Sequence, residues 1–337
     1  MLCPNCNIEI KDYCMKCGYY NGNGNAEIKE RKRRNHKWVF PFIIILIIVS
    51  IISLVFIKDY IKRSHITPVS ELKMDVNSKE YINELYISDE HTYNYLLDED
   101  EKKLYREVID KIKNYDTKMT LDLTKKGFKQ SYFSADYFIT INDAIFMDHP
   151  ELIHFAYISY REVSKHIYEI EFNYVLDKEK YNAAIKEMKL LLKEIKDATK
   201  DFSDVDKVKY VYEWLGKRNE YNYSFPAISQ SAYSAFNLEL SPVCAGYARA
   251  AQIIFQNIGI DSLLVNGSLN NGAHEWNFVK LDNQYYYLDI TTTSTSNDPV
   301  INGISYAGYL FSNHRGYRID NKEVVPMALG RKYIFKQ

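Results

Sequence analysis

The distribution of apolar residues separates a short N-terminal part from a longer mixed region. Residues 38–57 are rich in Ile, Val, Leu and Phe and contain no charged side chain. At about 1.5 Å of rise per residue, a helix of this length crosses the roughly 30 Å hydrocarbon core of a bilayer. A signal peptide is the alternative, but its apolar part usually covers only about 7–15 residues and ends at a small-residue cleavage motif, which is absent here. We therefore predict one uncleaved transmembrane helix over residues 38–57.

A basic segment, residues 21–37, precedes this predicted helix and sets its orientation. Its cationic side chains are Lys29, Arg31, Lys32, Arg33, Arg34 and Lys37. Positive residues favour the cytoplasmic side, which would place residues 58 onward outside the cell. Binding of anionic lipid or nucleic acid is the other interpretation of such a block. A topology signal is the simpler one, and with a net charge of −1 we expect no nucleic-acid partner.

Amphipathic segments follow a polar stalk at residues 58–77. Residues 98–112 have apolar positions at helical spacing after an acidic first turn, and 178–200 and 204–217 are also predicted helices. Residues 153–160 and 166–176 are rich in β-branched and aromatic residues, which predicts strands. We assign residues 78–200 to a mixed α/β region that packs against the C-terminal half and has no site of its own, and residues 201–337 to the C-terminal domain.

Four of the five cysteines lie in the first 17 residues, within a segment of residues 1–20. They form two Cys-x-x-Cys pairs, Cys3 with Cys6 and Cys14 with Cys17, a pattern that suits tetrahedral zinc. A redox dithiol or a pair of disulfides is the alternative, but cytoplasmic placement argues against disulfides. We predict a zinc ribbon in which the metal supplies the folding energy, and through which a cytoplasmic protein partner could bind.

The fifth cysteine, Cys244, is the only one in the large C-terminal portion. From Cys244 onward apolar residues recur at steps of three and four until Gly259, which predicts a helix with Cys244 in its first turn. The free N–H groups and the macrodipole at that end favour a thiolate, the reactive form of a nucleophilic cysteine. A buried structural cysteine is the alternative.

A histidine and an aspartate follow on two segments with strand-like alternation. Residues 281–284 form the predicted turn between a strand carrying His274 and one carrying Asp289. A turn with an even number of loop residues places both side chains on one face, within reach of each other, whereas an odd number separates them. The order Cys244, His274, Asp289 therefore provides a nucleophile, a base and an orienting carboxylate.

These motifs resemble those of the transglutaminase-like superfamily. The resemblance rests on Val243-Cys-Ala-Gly-Tyr-Ala-Arg249, His274-Glu-Trp-Asn277 and Tyr287-Leu-Asp-Ile-Thr291, and it covers about residues 200–295. It implies an α+β fold with a papain-like core, in which a Cys-bearing helix packs on an antiparallel sheet bearing His and Asp. Glu275 stands where a small residue is common in the family, and Ile290 where proline often stands.

The resemblance implies Cys244 as nucleophile, His274 as base and Asp289 as the residue that orients the histidine. The backbone N–H of Cys244 would hold the oxyanion, and Gln230 is our candidate for a second donor. Trp276 shares the face of His274 and either walls the substrate groove or packs in the core. No cofactor is expected for catalysis.

We therefore expect a membrane-anchored cysteine enzyme that acts outside the membrane on protein or peptide amides, by hydrolysis or acyl transfer through a thioester. A non-catalytic, membrane-tethered module that binds peptide or protein is the alternative. A third hypothesis makes the zinc ribbon the main functional part, with a sensing or recruiting role in the cytoplasm.

Overall fold

The computed structural model describes residues 85–336 except for 126, 130–132, 298–299, 312–315, 321 and 323–324. They belong to one unit of the chain, Met74–Gln337. The predicted zinc ribbon, basic linker, transmembrane helix and stalk (1–77) lie outside the described residues. Within the described part, no helix is long and apolar enough to span a bilayer. The same part holds no group of three or more His, Cys, Asp or Glu side chains suited to a metal ion.

The first half of the described chain contains a three-stranded sheet flanked by helices. In chain order its elements are α1 His91–Tyr95, α2 Glu99–Lys113, β1 Lys118–Asp122, α3 Ala135–Asp148, β2 Phe155–Ser164, β3 Ile167–Tyr174 and α4 Lys178–Thr199. All strand pairs are antiparallel, in the order β1-β3-β2. The predicted helices and strands of this region are present, with bounds shifted by a few residues.

Local sequence explains where α2 begins. The Asp98 carboxylate accepts hydrogen bonds from the backbone N–H groups of Asp100 and Glu101, and Glu101 accepts one from the Asp98 N–H in return. This capping box satisfies N–H groups that have no partner within the helix. The buried face of α2, which includes Leu104, Val108 and Ile112, then packs in the N-terminal core.

The second half contains a four-stranded antiparallel sheet and the helices that cover it. Its elements are α5 Asp204–Arg218, a 3₁₀ helix Ala227–Gln230, α6 Tyr233–Phe236, α7 Cys244–Asn257, β4 Ser262–Leu269, β5 Gly272–Leu281, β6 Gln284–Leu288, α8 Thr292–Thr295, β7 Val300–Ile301, β8 Ile304–Ser305 and β9 Tyr317–Ile319. The order in the larger sheet is β6-β5-β4-β9, while β7 and β8 pair separately.

The helix α7 lies at the centre of the larger hydrophobic core. Its side chains from Tyr247 to Phe255 are buried together with residues of α4, α5, α6, β5 and β6. Leu85, Tyr86 and Ile153, which belong to the predicted packing region, join the same core. This enclosure on all sides fixes the position of Cys244 at the start of α7.

Candidate active site

The nucleophile candidate occupies the position that its sequence pattern predicts. Cys244 is the first residue of α7, after Val243 in an extended conformation, and its side chain is partly exposed. The 3₁₀ helix packs against this end, because the Val243 N–H donates to the Ser229 carbonyl over 3.0 Å. A Cβ atom at Gly246 would lie 2.4 Å from the same carbonyl, so only glycine permits this close approach.

The hairpin that carries the histidine has the even loop on which our prediction depends. Leu281 pairs with Gln284, and the two loop residues, Asp282 and Asn283, have φ angles of 48° and 62°. Such positive φ values at both loop positions are typical of a type I′ turn. Strand β6 ends at Leu288, so Asp289 lies one residue beyond the strand on which we predicted it.

The histidine and the aspartate form a direct contact. His274 Nε2 lies 2.8 Å from Asp289 Oδ2. The Tyr317 hydroxyl donates to the same oxygen over 2.6 Å, and the Thr291 backbone N–H donates to Oδ1 over 3.1 Å. Burial works against ionisation of Asp289, but the charge of His274 and these hydrogen bonds outweigh it and hold the pKa of the carboxyl below its ordinary value.

The thiol of Cys244 also contacts His274. Burial tends to lower the pKa of His274, but the charge of Asp289 and hydrogen bonds to Asp289 and Cys244 raise it to about 10. These contacts therefore favour the protonated form of the imidazole. The structure brings together the three residues that we singled out as a catalytic triad.

Tyr221 is a site residue that sequence reasoning missed. Its hydroxyl accepts a hydrogen bond from the Cys244 backbone N–H and also contacts the thiol; burial, followed by the charge of Cys244, raises the pKa of the phenol to about 12. Tyr221 precedes Cys244 by 23 residues in a loop, and no periodicity or motif that we used connects the two positions. The N–H to which we assigned oxyanion binding therefore has a phenol hydroxyl beside it.

Two further predicted residues differ in how they relate to the cluster. Gln230 ends the 3₁₀ helix with an exposed side chain, and its backbone carbonyl accepts from Arg249 over 3.2 Å. Trp276 is 0 % exposed, and its ring stacks near that of His274, at 5.9 Å between centroids. Of the two alternatives for Trp276, the burial favours core packing over an open groove wall.

A buried ion pair joins the nucleophile helix to the histidine strand. Arg249 of α7 forms two hydrogen bonds of 3.0 Å with the carboxylate of Glu275 in β5, and both side chains are almost fully buried. The Arg249 guanidinium also lies 4.1 Å from the ring centroid of Phe146 in α3. Arg249 therefore links α7, β5, α3 and, through the Gln230 carbonyl, the 3₁₀ helix.

We expect Tyr317→Phe to destabilise the fold by about 1.5–3 kcal/mol at pH 7, because a hydrogen bond to a charged group is lost from a buried site. The pKa of Asp289 is lowered in the folded state. The hydrogen bond therefore stabilises the fold at pH values above the pKa of this carboxyl in the unfolded chain, and this stabilisation is lost as the pH falls through its pKa in the folded protein. Urea denaturation of residues 74–337 at pH 7 and in acid measures the loss. Tyr287→Phe, in the same aromatic cluster, is the control; an equal loss in both variants at every pH would contradict the assignment.

The site lies within a region that resembles known proteins. Residues 191–290, which include all three triad candidates, match the model of the Transglutaminase-like superfamily. No curated protein matches the chain. Among solved structures, the chain is similar to a candidate cysteine protease from Cytophaga hutchinsonii, with 13 % identity, coverage of 40 % of this chain and 61 % of that one, and a TM-score of 0.27.

A second similar structure is that of a TGase, with 16 % identity, coverage of 55 % of this chain and 53 % of that one, and a TM-score of 0.31. The match thus spans less than two thirds of either solved chain. The described residues form a mixed α/β structure, and the stretch of it over residues 191–290 matches the Transglutaminase-like superfamily model.

Proposed function

We propose that this protein is a transglutaminase-like cysteine enzyme that acts on amide bonds of proteins or peptides through a thioester intermediate. The observation that carries the proposal is the position of His274, whose ring contacts the Asp289 carboxylate and the Cys244 thiol and has a pKa raised to about 10. Perturbed ionisable groups in mutual contact are typical of catalytic sites. The superfamily match over residues 191–290 supports the same reaction class.

In the first half of the reaction, the sulfur of Cys244 attacks the carbonyl carbon of the amide, and a C–S bond forms. His274 takes up the thiol proton and transfers it to the departing nitrogen as the C–N bond breaks. A free amine or ammonia leaves, and the acyl group remains on sulfur as a thioester. Asp289 keeps the ring oriented and stabilises its positive charge during both proton transfers.

In the second half, water or a primary amine attacks the thioester carbonyl and gives up a proton to His274, and the C–S bond breaks. Water gives hydrolysis, and an amine gives a new amide. The oxyanion of each tetrahedral intermediate would accept a hydrogen bond from the Cys244 N–H, and would thereby replace the Tyr221 hydroxyl as the acceptor of that group. Gln230 remains a sequence prediction for an additional donor.

The membrane anchor and the zinc ribbon belong to the proposal through the sequence alone. Residues 38–57 would hold the enzyme in the cell membrane with its catalytic portion outside, where protein and peptide substrates of the cell surface are accessible. Cys3, Cys6, Cys14 and Cys17 would bind a structural zinc ion in the cytoplasm.

Mass spectrometry of cell-surface proteins tests the proposed activity. Cells expressing the wild type and cells expressing Cys244→Ala are compared, each with an added tagged primary amine. We expect hydrolysed amides, or amides that carry the tagged amine, in the wild-type sample alone, and the ratio of the two separates hydrolysis from transfer. Identical product sets in both samples, with a cellular phenotype that persists in Cys244→Ala, would instead support the non-catalytic binding module.

A further inference from the structure

An exposed group of aromatic side chains lies next to the nucleophile. We call residues 221–225 the aromatic loop. Tyr221 contacts Cys244 through its hydroxyl, while Tyr223 and Phe225 are 70 % and 62 % exposed. The ring of Tyr221 lies 4.9 Å from that of Tyr223 and 6.1 Å from that of Phe225, between centroids. The aromatic surface therefore extends from the reactive sulfur out to solvent.

Hydrogen bonds hold the aromatic loop to the segment that carries the nucleophile. The Asn222 N–H donates to the Pro242 carbonyl over 3.0 Å, two residues before Cys244. The Asn222 side chain donates to the Ser229 hydroxyl over 3.0 Å and accepts from the Ser224 N–H over 2.9 Å. Asn222 thus fixes both the position and the internal turn of the loop.

Phe225 adopts a backbone conformation that bulky residues rarely take, with φ at 52°. A strained residue of this kind persists only where its surroundings impose it, and such positions cluster at functional sites. Here the strain coincides with a phenyl ring turned towards solvent instead of the core. Core stability gives no reason for two exposed rings at this place.

We propose that the aromatic loop is a subsite for an apolar side chain of a peptide substrate, next to the reacting carbonyl on the acyl side. This inference rests on the proposed function. In the thioester only the acyl part of the substrate remains at the Cys244 sulfur, and the aromatic loop lies beside that sulfur through Tyr221. Binding of the acyl part by the aromatic loop would make this loop a determinant of substrate choice.

The ring geometry favours a side chain over a sugar. Tyr221 is tilted by 60° relative to Tyr223 and by 78° relative to Phe225. Because Tyr221 is tilted against both exposed rings, this surface offers a compact apolar group edge and face contacts. A sugar ring stacks on one flat aromatic face. Burial of an apolar side chain against such a surface is worth about tenfold to a hundredfold in binding.

A series of peptidyl chloromethyl ketones that differ only in the residue next to the electrophile tests this inference. The full chain is treated with members carrying Phe, Leu, Gly or Asp, and alkylation is quantified at Cys244 by peptide mass spectrometry, because the N-terminal cysteines also react. Iodoacetamide, which has no side chain, is the reference for each variant. We expect the Phe and Leu reagents to exceed the Gly and Asp reagents at least tenfold, relative to iodoacetamide.

The variants Tyr223→Ser and Phe225→Ser should reduce this preference severalfold, whereas Tyr95→Ser should retain it. Tyr95 is a matched control because it is 69 % exposed and lies in α1, outside the aromatic loop. A preference that is absent in the wild type, or unchanged in both loop variants, overturns the subsite. Protection of Cys244 by soluble glycan oligomers in the wild type alone would assign the loop to sugar and also overturn it.

Failure of the proposed function gives a different result. In that case, iodoacetamide would alkylate Cys244 at the same rate in the wild type and in His274→Ala, whatever the peptide series shows. Dependence on His274 without an apolar preference leaves the proposed function standing and removes the subsite alone.

Discussion

Replacing His274 with alanine is expected to lower amide turnover by about 10²–10⁴-fold, the usual contribution of a positioned acid–base group. Alkylation of Cys244 by iodoacetamide at pH 7 should fall by about tenfold to thirtyfold, because an unassisted thiol is only a few per cent ionised there. The two effects differ because alkylation requires only the thiolate, whereas amide cleavage also requires a proton for the departing nitrogen. Alkylation quenched at timed intervals and quantified by peptide mass spectrometry gives the alkylation rate, and analysis of the amide products gives the turnover rate.

His166→Ala is the control for this experiment, since His166 lies in the turn between β2 and β3, in the other sheet. It should leave both rates unchanged. Equal alkylation rates in the wild type and in His274→Ala would show that the contact between the ring and the sulfur does not activate the thiol.

Arg249→Ala is expected to lower the free energy of unfolding by about 3–5 kcal/mol. The change leaves the buried Glu275 carboxylate without its partner, and a buried charge without compensation is strongly destabilising. It also removes the hydrogen bond to the Gln230 carbonyl and the contact with Phe146. Urea denaturation of residues 74–337 measures the loss.

Two variants make the interpretation specific. Lys193→Ala breaks the exposed pair between Lys193 and Asp197 in α4, where a loss of about 1 kcal/mol or less is expected. Replacing both Arg249 and Glu275 with leucine removes the uncompensated charge and should recover much of the stability. An Arg249→Ala protein that is as stable as the Lys193→Ala protein would contradict this role of the buried ion pair.

The local parts of the site could be predicted from the sequence because each depends on neighbouring residues. The helical spacing after Cys244 gives the first turn of α7, and the two-residue Asp282–Asn283 loop determines the face on which His274 and Asp289 meet. The start of the helix and the shared face both depend on periodicity and turn residues within about twenty residues of the chain. Residue types then suggest the chemistry.

The partners that come from distant parts of the chain could not be predicted in this way. Tyr317, on edge strand β9, reaches Asp289 across the sheet, and Tyr221 reaches Cys244 from a loop before the 3₁₀ helix. Both belong to a set of thirty tyrosines that sequence reasoning has no means to separate. Glu275 did stand out, as a departure from the family pattern, but its pairing with Arg249 depends on the packing of α7 on β5. For Trp276, the strand period predicted the face of the sheet on which the side chain lies, but its complete burial follows only from the packing of other elements on it.

The pKa of His274, measured by NMR titration of its ring nitrogens, tests most directly whether sulfur, imidazole and carboxylate share one site. We expect a pKa of about 10 for His274 in the wild type and a lower value in Cys244→Ala, since the thiol contributes to the increase. An imidazole that titrates near its ordinary value of about 6.5 in both proteins would contradict this expectation.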